Sequence, residues 1–179
     1  MGALMVAYRG YSGNSGSPTE DGLYADARAA LDWLEARGVK RESIALYGQS
    51  LGSGVATKMA AEHDFGALVL EAPYTSTVDV AAHRFPVIPV RWLMKDRFDS
   101  LARIGDIDEP VLIMHGDADS VIPQSQARRL YEAANEPKQA FWPSGVGHND
   151  LFDRGGFTAA RDFIEQHVAR VSAAPGAAP

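Results

Sequence analysis

The sequence predicts a single α/β domain built on a mostly parallel, doubly wound sheet. Two runs, Ala67-Leu-Val-Leu70 and Pro110-Val-Leu-Ile-Met114, are short and almost continuously apolar, as strands buried on both faces are. Amphipathic helical stretches alternate with such runs, as parallel crossovers require. Polar and glycine-rich residues follow the runs directly, where open α/β sheets carry their sites. With 179 residues, 46% of them hydrophobic, the chain can bury one substantial core.

Ala3-Leu-Met-Val-Ala-Tyr8 reads as a buried strand, followed over Arg9 to Ser17 by a loop containing Gly10, Gly13 and Gly16. That loop is either a plain connection or an anion cradle. Ser17-Pro18-Thr19-Glu20 has the form of a capping box with proline at the first helical position. Leu23, Ala27, Ala30, Leu31 and Leu34 then recur at helical spacing until Gly38. Ile44 to Tyr47 is the next strand and Val55 to Glu62 the helix after it, joined by Gly48-Gln-Ser-Leu-Gly52. Ala67 to Leu70 is a further strand. Residues 74–108 lack a clean period: Phe85, Val87, Ile88, Val90, Trp92, Leu93 and Met94 crowd around Pro86 and Pro89. An insertion of that length fits a lid or binding loop, with a packed surface excursion as the alternative.

Pro110 to Met114 forms a strand, Gln126 to Ala134 a helix, Gln139 to Trp142 the last strand and Pro143 to Gly147 a turn. Phe157 to Val171 closes the domain as a helix with Phe157, Ala160, Phe163, Ile164 and Val168 on one side. The domain is expected over 1–172, with the lid-like insertion at about 74–108 and Ala173 to Pro179 as a disordered tail.

Composition excludes several functions. Without cysteine there is no disulfide, thiolate nucleophile or cysteine-held metal. A net charge of −6, with no lysine/arginine run, argues against a nucleic-acid binder. Apolar runs fall far short of the roughly 18 residues a membrane span needs, and no targeting signal stands at the start, so a cytoplasmic location is the default expectation.

The chemistry gathers at strand ends. Ser50 sits between Gly48 and Gly52 on a strand-turn-helix corner that can project its Oγ, glycines at both flanks avoiding Cβ collisions as the chain reverses. A serine hydroxyl near neutral pH needs an imidazole to take its proton, and the imidazole needs a carboxylate to fix its tautomer. His148, after the last strand in a loop with Gly145 and Gly147, is the best base, and Asp117 or Asp119 the acid. His63, His83 and His167 read as surface or packing residues, and His115 as support for the acid loop. His115-x-Asp-x-Asp119 also admits a metal site, but no second histidine cluster completes it.

Five segments in order, Tyr8-Arg-Gly-Tyr-Ser-Gly-Asn-Ser-Gly16, Leu46-Tyr-Gly-Gln-Ser-Leu-Gly-Ser-Gly54, Ala72-Pro-Tyr-Thr-Ser76, His115-Gly-Asp-Ala-Asp-Ser-Val-Ile-Pro123 and Gly147-His-Asn-Asp150, resemble the α/β-hydrolase superfamily. Within it the segments most resemble the abhydrolase-domain group that includes protein depalmitoylases. The resemblance runs from residue 3 to about 170 and implies Ser50 as nucleophile, Asp119 as the acid with Asp117 as runner-up, His148 as base, and the Leu51 amide as an oxyanion donor. No cofactor and no metal are expected. Family members carry strands before the one that opens this sequence, and a loop after the third of them supplies a second oxyanion donor. The expectation is therefore an N-terminally truncated sheet lacking its first strands, with a missing neighbour between residues 3–8 and 44–47.

The expected function is a serine hydrolase cleaving carboxylic esters or thioesters through an acyl-enzyme. A peptidase or amidase, and a weakly active or non-catalytic scaffold, are the alternatives. The expected partner is a small-molecule or lipid-like acyl substrate, with Phe85, Trp92 and Met94 as candidate contacts and peripheral membrane contact as a further option. The oligomeric state is left open.

Overall fold

In the computed structural model, which describes residues 2–168, four strands form one parallel sheet in the order β1 (Ala45–Gln49), β2 (Ala67–Glu71), β3 (Val111–Met114) and β4 (Lys138–Phe141). Leu46 stands opposite Leu68, Val69 opposite Leu112 and Ile113 opposite Ala140. Because all strands run the same way, the loops that leave β1, β2, β3 and β4 emerge on one side of the sheet.

Every residue of β2 and β3 is buried, which explains why neither run alternates. Leu68, Leu70, Val111 and Ile113 face α2 (Leu51–Ala60) and α5 (Gln124–Ala133) through Ala56, Ala60, Ala127 and Leu130. Val69, Leu112 and Met114 face Ala160 and Phe163 of α6 (Phe157–His167) on the other side. The sheet is thus wound on both faces, and each buried Leu or Ile contributes roughly 1.5–3 kcal/mol by leaving water. Helix α1 (Glu20–Glu35) packs Leu23, Tyr24, Ala27 and Leu31 against Val55 and Met59 of α2.

The strand expected over 3–8 does not form. Leu4, Met5 and Val6 are exposed, Met5 to 92%, and among the described residues β1 pairs with β2 alone. A strand of a parallel sheet needs a hydrogen-bonding neighbour, and no described strand pairs with this segment; its Ala7 carbonyl accepts instead from the Asn14 side chain at 2.9 Å. The following loop bonds to itself, Gly10 N to Asn14 O at 3.2 Å, and Arg9 clamps Asp26 of α1 through its backbone amide and guanidinium. The start of α1 also differs: Thr19, not Ser17, is the cap, its hydroxyl accepting from the Gly22 amide at 3.2 Å.

Helix α2 begins at Leu51, four residues before the expected start, because the turn passes directly into the helix. The excursion carries two helices that its composition hid, α3 (Thr77–Arg84), capped by Ser76, and the single turn α4 (Val90–Leu93). A wide turn over Phe152–Gly156 precedes α6. The end of the expected closing helix and the tail Ala173–Pro179 lie outside the described residues. Among the described residues no helix is long and apolar enough to cross a membrane.

Candidate active site

The corner after β1 is set by two constraints. Ser50 adopts φ 49° and ψ −119°, a conformation that costs a non-glycine residue on the order of 1–3 kcal/mol. The sheet imposes it: the Ser50 amide donates to Glu71 O at 2.9 Å, extending the ladder, while Ser50 O already accepts the Ser53 amide at 2.9 Å and the Ser53 hydroxyl at 2.6 Å. Strand and helix therefore meet at one residue. A Cβ at Gly48 would lie 2.4 Å from Gly52 O and 2.7 Å from Ser53 Cα, so glycine is required there. At Gly52 an added Cβ meets nothing within 4 Å outside its own helix and neighbours, so the second flanking glycine is not fixed by collision as expected.

Tyr74, from the Ala72-Pro-Tyr-Thr segment after β2, supports this corner from beneath. Its hydroxyl donates to Leu51 O at 3.2 Å, and it fits because residue 54 is glycine: a Cβ there would stand 2.3 Å from the phenolic oxygen. Leu51 is the first residue of α2, so its amide has no acceptor within the helix and is free for a ligand.

The loops after β3 and β4 are sewn together. His115 N donates to Phe141 O at 3.1 Å and Ala118 N to Val146 O at 3.1 Å; a Cβ at Gly116 would fall 2.0 Å from Val146 O. Asp117 accepts the Ser144 hydroxyl at 2.8 Å and the Gly145 amide at 2.6 Å, and both bonds hold its carboxyl below its ordinary pKa. Gly145 makes this turn at φ 71°. Asp117 thus fastens the histidine loop and does not face His148.

Asp119 faces it. Its Oδ1 accepts the Val121 and Ile122 amides at 2.8 and 2.9 Å, while Oδ2 accepts His148 Nδ1 at 2.7 Å. His148 Nε2 lies 3.0 Å from Ser50 Oγ. The Asp119 side chain is 1% exposed and that of His148 13%. Burial alone would raise the Asp119 carboxyl, but His115, His148 and the two amides outweigh it and hold the pKa well below the ordinary carboxylate range. The Asp119 hydrogen bond raises His148; burial opposes, and the charges of Asp119 and Glu71 add to the rise.

Two further residues stand against this relay: His115, expected as support for the acid loop, and Glu71, which sequence reasoning missed. His115 is fully buried, and its Nε2 lies 2.9 Å from Ile122 O and 3.0 Å from Asp119 Oδ2. Both neighbours are acceptors, so Nε2 carries the proton, and among the described residues Nδ1 has no hydrogen-bond partner. Glu71, also buried, accepts hydrogen bonds from the Tyr47 hydroxyl and Gln49 Nε2 at the end of β2. A glutamate inside Ala-Leu-Val-Leu-Glu, four apolar residues then a carboxylate, was the available signal.

The other expected residues lie apart. His83 is exposed, and His167 stacks on Phe163 at 4.6 Å. Phe85 and Trp92 are exposed to 50% and 90% on the excursion, Met94 is half-buried, and none of the three hydrogen-bonds to the relay. Among the described residues no group of three or more His, Asp or Glu is arranged to hold a metal.

An uncharacterised protein of Mycobacterium tuberculosis is 44% identical over 151 residues, which is 84% of this chain and 54% of that protein. Human alpha/beta hydrolase domain-containing protein 17B is 37% identical over 165 residues, 90% of this chain and 55% of that one. The chain thus spans about half the length of the curated relatives it matches. An esterase of Pyrococcus furiosus superposes with a TM-score of 0.71 at 17% identity, covering 90% of this chain and 68% of that structure, which shows the shared fold. The prolyl oligopeptidase family matches residues 17–142, a span containing Ser50 and Asp119 and ending before His148. On that match the chain belongs to the prolyl oligopeptidase family, within the α/β-hydrolase fold.

Proposed function

We propose that the chain is a serine hydrolase that cleaves carboxylic esters or thioesters through an acyl-enzyme on Ser50. The observation that carries this reading is the unbroken relay Ser50 Oγ, His148 Nε2 at 3.0 Å, His148 Nδ1 and Asp119 Oδ2 at 2.7 Å. Asp119 accepts a hydrogen bond from the Nδ1–H of His148 and so fixes the proton on Nδ1, which leaves the Nε2 lone pair directed at the serine. Ser50 Oγ attacks the acyl carbon and its proton passes to Nε2; the carbonyl oxygen gains charge beside the Leu51 amide. Collapse breaks the bond to the alcohol or thiol, which leaves with the proton from Nε2. Water then attacks the acyl carbon, giving its proton to Nε2, and the carboxylic acid departs as Ser50 recovers its own. Asp119 remains ionised throughout, in keeping with its depressed pKa.

The acyl side of this reading is Phe85, Trp92 and Met94 in the lid-like segment 74–108; Phe85 and Trp92 are exposed and Met94 half-buried, which leaves the first two open to a substrate arriving from solvent or from a lipid surface. A second reading, hydrolysis of peptide or amide bonds, is favoured by the match to the prolyl oligopeptidase family. The same relay serves both, since a triad does not fix the leaving group. Turnover of matched p-nitrophenyl esters, acyl thioesters and peptide p-nitroanilides by the chain and by Ser50→Ala decides between them. Ester or thioester turnover abolished in Ser50→Ala is the expected result; turnover of anilides alone selects the peptidase reading, and equal turnover in Ser50→Ala refutes both.

A further inference from the structure

The apex of the excursion, residues 84–95, combines three features that the Ser50, His148 and Asp119 relay does not use. The first is apolar exposure. Val87 is 92% exposed, Trp92 90% and Leu93 67%, with Phe85 and Ile88 about half exposed beside them. Soluble monomers rarely leave so many large apolar side chains together in water without a use for them.

The second is charge. The stretch His83-Arg-Phe-Pro-Val-Ile-Pro-Val-Arg-Trp-Leu-Met-Lys-Asp-Arg97 has four cations, Arg84, Arg91, Lys95 and Arg97, against the single anion Asp96, in a chain whose net charge is −6. Arg91 pairs with Asp79, but among the described residues Arg84 and Lys95 enter no ion pair. These cations form no unbroken run but are interleaved with the apolar residues of the same short stretch.

The third is rigidity. The base of the excursion is pinned: Thr77 N donates to Arg97 O at 2.9 Å, Leu101 N to Thr75 O at 3.0 Å, Glu20 N to Asp96 Oδ1 at 2.7 Å and Arg97 N to Glu20 Oε2 at 2.6 Å. Val90 and Phe98 are buried beneath it. Pro86 and Pro89 fix φ on either side of Val87 and Ile88, and the chain turns there through Ile88 N to Phe85 O at 3.1 Å. The apolar side chains are therefore held outward by ordered backbone, and a partner would not have to order them.

We propose that this apex is a membrane-docking surface: Phe85, Val87, Ile88, Trp92 and Leu93 enter the headgroup and upper acyl region of an anionic bilayer while Arg84 and Lys95 meet lipid phosphates. Apolar side chains flanked by cations, with tryptophan among them, match the physical profile of a bilayer interface. The charge balance selects anionic lipid and one orientation, because the acidic remainder of the chain is repelled from the same surface. The excursion leaves the sheet from the end of β2, on the side from which the Ser50, Asp119 and His148 loops emerge. Docking there holds the candidate active site at the lipid surface. The proposal does not depend on the acyl-transfer reading, since binding is measured without turnover.

The test uses the whole chain carrying Ser50→Ala, mixed with sucrose-loaded phosphatidylcholine vesicles with and without about one-third phosphatidylglycerol. Expected is co-sedimentation with the anionic vesicles that weakens with salt, and a blue shift of tryptophan emission that Trp92→Phe removes. Val87→Ser/Leu93→Ser should lower partitioning at least about tenfold with salt dependence retained. Arg84→Gln/Lys95→Gln should lower it and flatten the salt dependence. Both pairs, at exposed positions in Ser50-intact protein, should turn over a water-soluble ester at the parent rate. No binding to anionic vesicles at low salt, equal binding to neutral ones, or binding indifferent to both pairs overturns the proposal. So does a concentration-dependent dimer in sedimentation velocity that Val87→Ser/Leu93→Ser dissociates, which would assign the patch to a second copy of the chain.

Discussion

Replacing Asp119 by Asn tests the division of labour between the two aspartates of the acid loop. With Asn, one oxygen and one NH₂ must occupy positions where two oxygens now accept. If the oxygen stays with the Val121 and Ile122 amides, the NH₂ meets His148 Nδ1 and the protonated His115 Nε2. The imidazole must then carry its proton on Nε2, facing Ser50, and can no longer take the serine proton; His115 is left donor to donor. If the amide is flipped, two backbone donors face the NH₂ and each loses an acceptor, at about 1–3 kcal/mol apiece. The first arrangement costs less, so kcat should fall by up to about 10⁴-fold, equivalent to roughly 5.5 kcal/mol of barrier. Asp117→Asn differs: its oxygen can keep the Gly145 amide and its NH₂ can donate to the Ser144 hydroxyl, which rotates to accept. Its kcat should fall less than about tenfold. Burst and steady-state kinetics on p-nitrophenyl acetate, with thermal unfolding to verify that each variant is folded, read both effects. Equal losses at the two positions, or a greater loss at Asp117, would refute the assignment of Asp119 as the residue that orients His148.

His148 must be neutral to act as base, and the Asp119 hydrogen bond raises its pKa above the ordinary value of 6.5, so the acid limb of kcat/KM should have its midpoint above that value. Glu71→Gln removes a charge that adds to the rise and should move the limb down; an unmoved limb excludes Glu71 from the electrostatics of the site. The raised folded-state pKa also means that the stability contributed by protonated His148 is complete below its unfolded pKa and is lost as pH rises through the folded one. Gly116→Ala puts a Cβ 2.0 Å from the Val146 carbonyl oxygen, a backbone atom that cannot swing away, and should destabilise by about 1–3 kcal/mol while parting the Asp119 and His148 loops. Gly105→Ala, whose nearest contact would be an ordinary 3.6 Å, is the control, and equal melting temperatures for the two variants would contradict this. Ser50→Gly relieves φ 49° and should raise stability by about 1 kcal/mol, or about 2–4 °C in Tm, while Ser50→Ala keeps the strain and does not.

What could be read from the sequence was whatever local chemistry dictates. The strand-corner-helix around Ser50 is specified within a few residues, because Gly48 alone permits the reversal and the apolar run before it has a fixed partner in β2. Strands β2 to β4 fell within a residue or two of expectation; β2 and β3 are covered on both faces, which is why their runs are almost continuously apolar. The strand over 3–8 failed for the converse reason: an apolar run has no structure of its own without a neighbour, and Met5 stands in water. In the excursion the apolar residues crowded around Pro86 and Pro89 have no helical period, while the start of α3 is marked only by Ser76-Thr-Val-Asp79, where the Ser76 hydroxyl accepts the Asp79 amide at 3.0 Å. The choice between Asp117 and Asp119 was open in the residues themselves, and the family resemblance chose Asp119. The reason Asp117 is also there, to hold Ser144 and Gly145, requires two loops 27 residues apart to be seen together. His115 and Glu71 had their positions at strand ends but not their partners, for the same reason.

The most direct measurement of the central claim, that Ser50 is a nucleophile activated by His148 and Asp119, is labelling of the chain with a fluorophosphonate followed by peptide mass spectrometry. The expected result is a single adduct on Ser50, absent in Ser50→Ala and strongly slowed in His148→Ala. Label on another residue, or labelling of Ser50 at the same rate when His148 is removed, would contradict it.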